Sequence, residues 1–176
     1  MCESARPAAT IGAVSIAIRL AGPDDAEQVH AFIVALAEYE REPDAVACSA
    51  ADLREQIASA APPFECLLAE RAGGDAVAVG FALFFHNYST WRGKRGLYLE
   101  DLFVPPSERG RGVGKMLLSE LARIAVARDC ARMEWSVLAW NRPAIDFYRA
   151  LGATAMDGWT VYRLTGDALD ALARGA

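Results

Sequence analysis

Residues 97–115 read LYLEDLFVPPSERGRGVGK, and this stretch decides the fold that the sequence predicts. Its first part is an apolar run rich in aromatic and branched residues, which is typical of a buried strand. Pro105 and Pro106 cannot continue the hydrogen-bond ladder of a central strand. The strand is therefore predicted to end at Val104.

A glycine-rich turn follows the prolines and opens a helix with apolar residues at helical spacing. The turn consists of Arg109, Gly110, Arg111, Gly112, Val113, Gly114 and Lys115. At the start of a helix several backbone N–H groups have no partner, and the helix dipole adds partial positive charge. Such a turn binds anions. The basic side chains within it predict a large, multiply charged anion such as a pyrophosphate.

Two common phosphate-binding loops do not match this turn. A Walker A loop ends in Gly-Lys-Ser/Thr and begins with glycine, whereas here Arg109 holds the first position and Met116 the last. A dinucleotide-binding loop has the form G-x-G-x-x-G, whereas this one reads G-x-G-x-G. The pattern that fits is Arg109-x-x-Gly112-x-Gly114.

Composition predicts one globular domain over residues 14–176, preceded by a loose tail at 1–13. The chain has 176 residues, of which 53% are hydrophobic and 23% charged, as in ordinary folded domains. Its net charge of −5 argues against nucleic-acid binding, which favours a basic surface. An acidic surface instead attracts small cationic molecules.

The cysteines and histidines predict no metal site. They are scattered along the chain without C-x-x-C spacing: Cys2, Cys48, Cys66, Cys130, His30 and His86. Scattered cysteines of this kind are typical of reduced, intracellular thiols, and we expect a cytoplasmic protein. No signal peptide is visible, and the longest apolar run is shorter than the ~20 residues of a membrane span.

The hydrophobic periodicity predicts the order β-α-α-β-β-β-α-β-α-β, with a short helix at the end. Strands are predicted at 15–20, 64–71, 76–85, 97–104, 133–138 and 159–164. Gly73-Gly74-Asp75 is predicted to be a hairpin turn, and 86–96 a polar, aromatic loop. Ser49 with Asp52 is predicted to begin the second helix, and Asn141 to cap the fourth.

The chain resembles the GNAT family of acyl-coenzyme A-dependent N-acetyltransferases, whose coenzyme-binding motif has the form Gln/Arg-x-x-Gly-x-Gly/Ala after a strand. Within it, the chain is similar to the diamine (spermidine/spermine) acetyltransferase branch and its thialysine-acetylating relatives. This similarity extends over residues 16–165, and its motifs are LAEYE at 36–40, WRGK at 91–94, YLEDLFV at 98–104 and WNRPAIDFYRALGA at 140–153. The resemblance implies an α/β fold, a twisted mixed sheet with helices on both faces. It also implies acetyl-CoA as co-substrate, a small cationic amine as acceptor, and a homodimer.

The resemblance also implies roles for particular residues. Glu100 would be the base, directly or through water, and Asp101 would hold the cationic amine. Neighbouring strand residues point to opposite faces, so both carboxylates share one cleft only if the strand carries a bulge, as it does in the family. From the residues alone, both could instead be structural carboxylates paired with Arg92 or Arg95.

Tyr148 is the acid candidate, because a phenol with a pKa of about 10 is protonated at neutral pH and can protonate a leaving thiolate. Its alternative is a core tyrosine. By resemblance Asn141 would bind the pantetheine arm, and alternatively it is a plain helix cap. The remaining candidates are Leu102, Phe103 and Val104 for the coenzyme, and Glu40 and Trp91 for the acceptor.

One position departs from the branch. Ser89 stands where the polyamine enzymes place an aspartate, which favours a shorter diamine or a lysine-like amino acid such as thialysine. Acceptors of other classes stay open, namely a protein N-terminus, a lysine side chain or an antibiotic amine. A non-catalytic acyl-CoA sensor is a further alternative, and His86 is a weaker alternative for the base.

Overall fold

The computed structural model describes residues 15–71 and 77–175. The chain divides into two compact units, one extending to Ser136 and the other beginning at Val137. The predicted tail at 1–13 and the predicted hairpin turn at 73–75 lie outside the described residues.

The first unit is built on a five-stranded sheet in which the strands neighbour one another in chain order. The strands are β1 (Ile16–Leu20), β2 (Glu65–Arg71), β3 (Val77–Ser89), β4 (Lys94–Phe103) and β5 (Met133–Trp135). The helices of this unit are α1 (Ala26–Glu40), α2 (Ala50–Ala58) and α3 (Val113–Ala127). Strands β1 to β4 pair antiparallel and β5 pairs parallel to β4, so the predicted mixed sheet is confirmed.

One face of the sheet packs against α1 and α2. Phe32 of α1 stacks on Phe81 of β3 with ring centroids 5.5 Å apart, and it meets Phe103 of β4 at 6.2 Å. Leu53 of α2 joins the same buried cluster. Ser49 caps α2 as predicted, since its side chain accepts a hydrogen bond from the N–H of Asp52.

The opposite face packs against α3, which buries Leu117 and Leu121 completely. Gly80 of β3 makes this approach possible. A Cβ at Gly80 would lie 3.0 Å from the carbonyl oxygen of Phe103 and 3.3 Å from the side chain of Val113. The missing side chain therefore lets the end of β4 and the start of α3 sit against β3. The predicted helices on both faces are confirmed.

The predicted loop at 86–96 is wrong over most of its length. Strand β3 continues to Ser89 and β4 begins at Lys94, with Tyr88 opposite Arg95 and Ser89 opposite Lys94. The prediction failed because the polar side chains of this segment are typical of a loop. The backbone groups of a strand form their hydrogen bonds with the neighbouring strand whether its side chains are polar or apolar. What the sequence predicts as a loop is the tip of a long hairpin.

The second unit contains α4 (Arg142–Ala150) and α5 (Gly166–Ala173). The prediction of a strand at 159–164 is wrong, since the structure assigns no strand there. An alternating apolar pattern forms a strand only when another strand pairs with it. The prediction for 133–138 is also too long, because β5 ends at Trp135.

None of the helices in the described part of the chain has the length and the apolar run that a bilayer crossing requires.

Candidate active site

A bulge in β4 lies at Glu100. Leu83 of β3 pairs with Asp101 and its neighbour Phe84 pairs with Leu99, so Glu100 has no partner opposite it. Such an extra residue changes which face the following residues occupy. The bulge that the resemblance implies is therefore present, and it separates Leu99 on the α3 face from Asp101 on the α1 face.

Asp101 lies in acidic surroundings on the α1 face. Burial first, and then the charges of Glu100 and Glu40, together raise the pKa of its carboxyl to about 6. Glu40 ends α1, and burial raises the pKa of its own carboxyl. The charges of Glu40 and Glu100 thus disfavour the ionised form of Asp101, and a cation placed beside Asp101 would offset them.

The structural alternative for the two strand carboxylates is not observed. Within residues 15–71 and 77–175, neither Glu100 nor Asp101 forms an ion pair, so neither is paired with Arg92 or Arg95. Glu100 is exposed, whereas Asp101 is half-buried. A half-buried carboxylate without a cationic partner has a raised pKa and is a candidate binding or catalytic group.

The pairing of β4 with β5 ends beside the bulge. Their parallel pairing covers residues 97–99 of β4 and ends where Leu99 meets Trp135, whereas β4 itself continues to Phe103. Along this continuation, β4 forms no pairing with β5. The backbone groups of Leu102 and Phe103 on that edge can therefore bind an extended molecule in the manner of an added strand.

The glycine-rich turn ends in a left-handed residue at the start of α3. Gly110 and Gly112 have φ values of 77° and 82°, which glycine adopts without steric cost. The first helical hydrogen bond runs from the N–H of Met116 to the carbonyl of Gly112. The N–H groups of Val113, Gly114 and Lys115 consequently have no partner within the helix, which is the arrangement that binds an anion.

Arg109 turns inward from this loop. Its Nε donates to the carbonyl of Val104 at 2.9 Å, and its guanidinium lies 4.5 Å from the centre of the Tyr39 ring. The same group lies 5.9 Å from the centre of the Phe103 ring. Its side chain therefore ties the loop to the end of α1, and a direct contact of this side chain with a pyrophosphate stays a prediction.

Glu108 holds the glycine-rich turn through ion pairs, and the sequence analysis did not identify it as a site residue. Its carboxylate forms an ion pair with Arg71 at the end of β2 and lies 3.5 Å from Arg111. These cations, Arg71 first, hold the pKa of Glu108 below its usual range. The only sequence signal is a single acid within a basic turn, and Arg71 is too distant along the chain to be recognised as its partner.

The predicted acceptor residues differ in exposure. Trp91 is 88% exposed at the hairpin tip, whereas Ser89 is only 4% exposed. His86, the weaker alternative for the base, lies beside Phe84 and therefore on the α3 face, away from Asp101. Burial, followed by the charge of Arg128, lowers the pKa of His86.

The remaining predicted residues belong to the second unit. The side chain of Asn141 accepts a hydrogen bond from the N–H of Ala144 at 3.3 Å, which confirms that it caps α4. Tyr148 lies on α4, with its ring 5.4 Å from that of Phe147. Their roles toward the coenzyme stay predictions. Among the described residues, no group of three or more His, Cys, Asp and Glu side chains could hold a metal ion.

The bulge and the glycine turn after β4 are features that the resemblance implies. The model of the acetyltransferase (GNAT) family matches residues 29–153. The chain belongs to the GNAT acetyltransferase family. It is accordingly an N-acetyltransferase of a family that uses acetyl-CoA as co-substrate.

Similar proteins agree with the predicted branch and fold. The thialysine N-epsilon-acetyltransferase of Bos taurus is 38% identical over 166 residues, which cover 90% of this chain and 97% of that one. The spermidine/spermine N(1)-acetyltransferase-like protein 1 of Homo sapiens is 34% identical over 86% of this chain but only 23% of its own length. An integron cassette protein of V. cholerae has a solved structure with a TM-score of 0.75 and 28% identity, covering 92% of this chain and 99% of that one.

Proposed function

We propose that this enzyme transfers the acetyl group of acetyl-CoA to the terminal amine of a small cationic acceptor. The acceptor is a lysine-like amino acid, such as thialysine, or a short diamine. The observation that carries this proposal is the bulge at Glu100, beside which the pairing of β4 with β5 ends and near which Asp101 has a raised pKa. A thioester bound along the free edge of β4 would lie next to carboxylates that attract an ammonium group.

The proposed reaction is a direct transfer in a ternary complex. Glu100, directly or through water, accepts the proton that the ammonium must lose before it can attack. The amine nitrogen then bonds to the thioester carbon, the carbon–sulfur bond breaks, and Tyr148 gives its hydroxyl proton to the leaving thiolate. The nitrogen releases its second proton to solvent as the amide forms, and the Tyr148 phenolate takes up a proton from solvent. The N–H groups at the start of α3, with Arg111 and Lys115, bind the diphosphate of the coenzyme.

The acceptor class is tested by measuring thiol release from acetyl-CoA with thialysine, lysine, ornithine, putrescine and spermidine. We expect turnover with the amino acids or the short diamine above the rate of hydrolysis without acceptor. If only spermidine, a peptide N-terminus or an aminoglycoside is acetylated, the proposed acceptor class is wrong. Tight coenzyme binding with no turnover on any amine would support the sensor alternative.

The proposed acid is tested by Tyr148→Phe. Loss of a positioned general acid typically costs about a hundredfold or more in rate, so kcat should fall by that amount. The KM for acetyl-CoA should stay within about twofold, because the ring that packs beside Phe147 is retained. The variant Tyr88→Phe, at an exposed position on the α3 face, is the matched control. An unchanged kcat in Tyr148→Phe would remove the proposed role.

We also propose a cytoplasmic homodimer. In support of a dimer, the apolar segment 159–164 remains accessible, with Val161 and Tyr162 exposed at 83% and 92%. In support of a reducing compartment, Cys48, Cys66 and Cys130 are free thiols. Light scattering on the eluting protein at several concentrations tests the dimer, and a monomer mass at every concentration would exclude it.

A further inference from the structure

A polar cluster spans three strands on the α1 face of the sheet. Asn87 of β3 donates through Nδ2 to Oε2 of Glu134 on β5, at 2.9 Å. The Nε of Arg132 approaches the same oxygen at 2.6 Å. We call Asn87, Arg132 and Glu134 the head-group cluster. It brings an amide, a guanidinium and a carboxylate to one place on the sheet.

The cluster depends on a glycine in the strand between its members. Asn87 lies opposite Gly96 of β4, and a Cβ at Gly96 would lie 2.2 Å from Oδ1 of Asn87 and 3.3 Å from the side chain of Arg132. Only a residue without a side chain lets Asn87 cross β4 and reach β5. An exposed Arg–Glu pair alone contributes little to stability. Here the pair is also held by Asn87, which reaches it across Gly96, so its geometry is more defined than that of an ordinary surface ion pair.

The bulge places the cluster on the same face as Asp101. Tyr98 pairs with Glu134 across β4 and β5, and its ring lies 5.2 Å from that of Phe85 on this face. The Tyr98 hydroxyl and Oγ of Ser136 are 3.0 Å apart, which adds a further polar pair beside the cluster's strand. Asp101 lies three residues beyond Tyr98, which corresponds to a distance of at most ~10 Å along a strand. The cluster and Asp101 therefore lie on one face of the sheet, separated along β4 by about that distance.

We propose that the head-group cluster is the subsite that binds the α-amino and α-carboxylate groups of an amino-acid acceptor. This inference rests on the proposed function. It assigns the preference of the enzyme for amino acids to residues other than Glu100 and Asp101. Within the cluster, Nε of Arg132 and Nδ2 of Asn87 both approach Oε2 of Glu134. The other carboxylate oxygen, Oε1, accepts from the α-ammonium, and the terminal nitrogens of the guanidinium donate in pairs to the α-carboxylate.

The test compares amino acids with the diamines that they give on loss of the carboxylate. For Arg132→Gln, the KM for lysine and ornithine should rise about tenfold to a hundredfold, because a hydrogen bond to a charged group is lost. The KM for cadaverine and putrescine, which have no carboxylate for Arg132 to bind, should stay within twofold. Arg132→Lys should restore part of the affinity for the amino acids. Arg123→Gln, at an exposed ion pair on α3, is the matched control and should change neither class.

A second variant tests the geometry. Gly96→Ala displaces Asn87 from its crossing and should raise the KM for the amino acids selectively, with the thermal midpoint recorded alongside to identify any unfolding. If Arg132→Gln raises the KM for amino acids and diamines equally, or changes neither, the inference is overturned while the proposed function stands. If the wild-type enzyme acetylates none of these amines, the proposed function is overturned and this inference with it.

Discussion

Asp101 has surroundings that only the folded chain creates. It lies immediately after the bulge at Glu100, facing α1 and opposite Leu83. Burial there penalises its charged form, and the nearby charges of Glu100 and Glu40 add to the penalty, so that its pKa is about 6. A bound ammonium group would reverse both effects, since it replaces lost hydration and offsets the neighbouring negative charges. The carboxylate is therefore suited to acceptor binding above that pH.

Acceptor binding should consequently depend on pH in the range around 6. As the pH falls through about 6, Asp101 takes up a proton and no longer attracts the ammonium, so the acceptor KM of the wild type should rise. In Asp101→Asn the acceptor KM should be high throughout and lack this inflection. Initial rates measured from pH 5 to pH 8 with saturating acetyl-CoA provide the measurement. An inflection that persists in Asp101→Asn would assign it to another group.

At the scale of elements, the loop between β4 and α3 is held in place by side chains as well as by its own backbone. Arg109 binds the carbonyl of Val104 and lies over Tyr39, and Glu108 is paired with Arg71 of β2. The loop is therefore attached both to the end of α1 and to the end of a strand. Its amides are oriented before any anion binds, which lowers the entropic cost of binding.

Removing the support from Glu108 should weaken coenzyme binding without changing the chemistry. In Glu108→Gln, Arg71 and Arg111 lose their shared carboxylate, so the KM for acetyl-CoA should rise several-fold while kcat stays within twofold. Glu120→Gln, which breaks an exposed ion pair on α3, is the control and should leave both constants unchanged. A fall in kcat with no change in KM for acetyl-CoA would show that Glu108 acts elsewhere.

The turn before α3 should require glycine at position 112, because the backbone there is left-handed. The φ of Gly112 is 82° and an added Cβ would meet nothing within 4 Å, so the cost of alanine is the left-handed conformation, about 1–2 kcal/mol. Gly112→Ala should either lower stability by that amount or shift the loop and raise the KM for acetyl-CoA. Gly158→Ala, where a Cβ also meets nothing and φ is not left-handed, is the matched control. Urea unfolding and initial-rate kinetics give both readouts, and a variant that matches the wild type in both would contradict this account.

At the scale of the whole molecule, the first unit depends on one aromatic contact between layers. Phe32 of α1 is 5% exposed and touches both Phe81 and Phe103. The latter ends β4, the strand that carries the bulge. The packing of α1 on the sheet is thus also what fixes the position of the acidic surroundings of Asp101.

Phe32→Ala should destabilise this unit strongly. Truncating a buried phenylalanine leaves a cavity and typically costs about 3–5 kcal/mol, so the urea midpoint and the thermal midpoint should both fall. Phe85→Leu is the control, because it keeps an apolar side chain at a half-buried position and should cost much less. A loss of stability below about 1 kcal/mol for Phe32→Ala would show that α1 is not held mainly by this contact.

Several features were predictable because their signals are local. The prolines after Val104, the glycines at 110–114 and the apolar spacing of α3 predict a strand, a turn and a helix from adjacent residues alone. The cap of α2 at Ser49 and the cap of α4 at Asn141 depend on residues within one turn of each other. Short-range patterns of this kind need no knowledge of the rest of the fold.

What the amino-acid sequence established without coordinates is therefore the glycine turn that opens α3, most of the elements and, through its motifs, the family. It did not establish the extension of β3 to Ser89, the absence of a strand at 159–164, the pairing of Glu108 with Arg71 or the crossing of Asn87 over Gly96. The first depends on pairing with β4, and the third and fourth depend on residues that are distant along the chain. The predicted strand at 159–164 did not form because no other strand in the described part of the chain pairs with it. Periodicity describes one segment at a time, whereas pairing, burial and the pKa of Asp101 arise only when the segments are packed together.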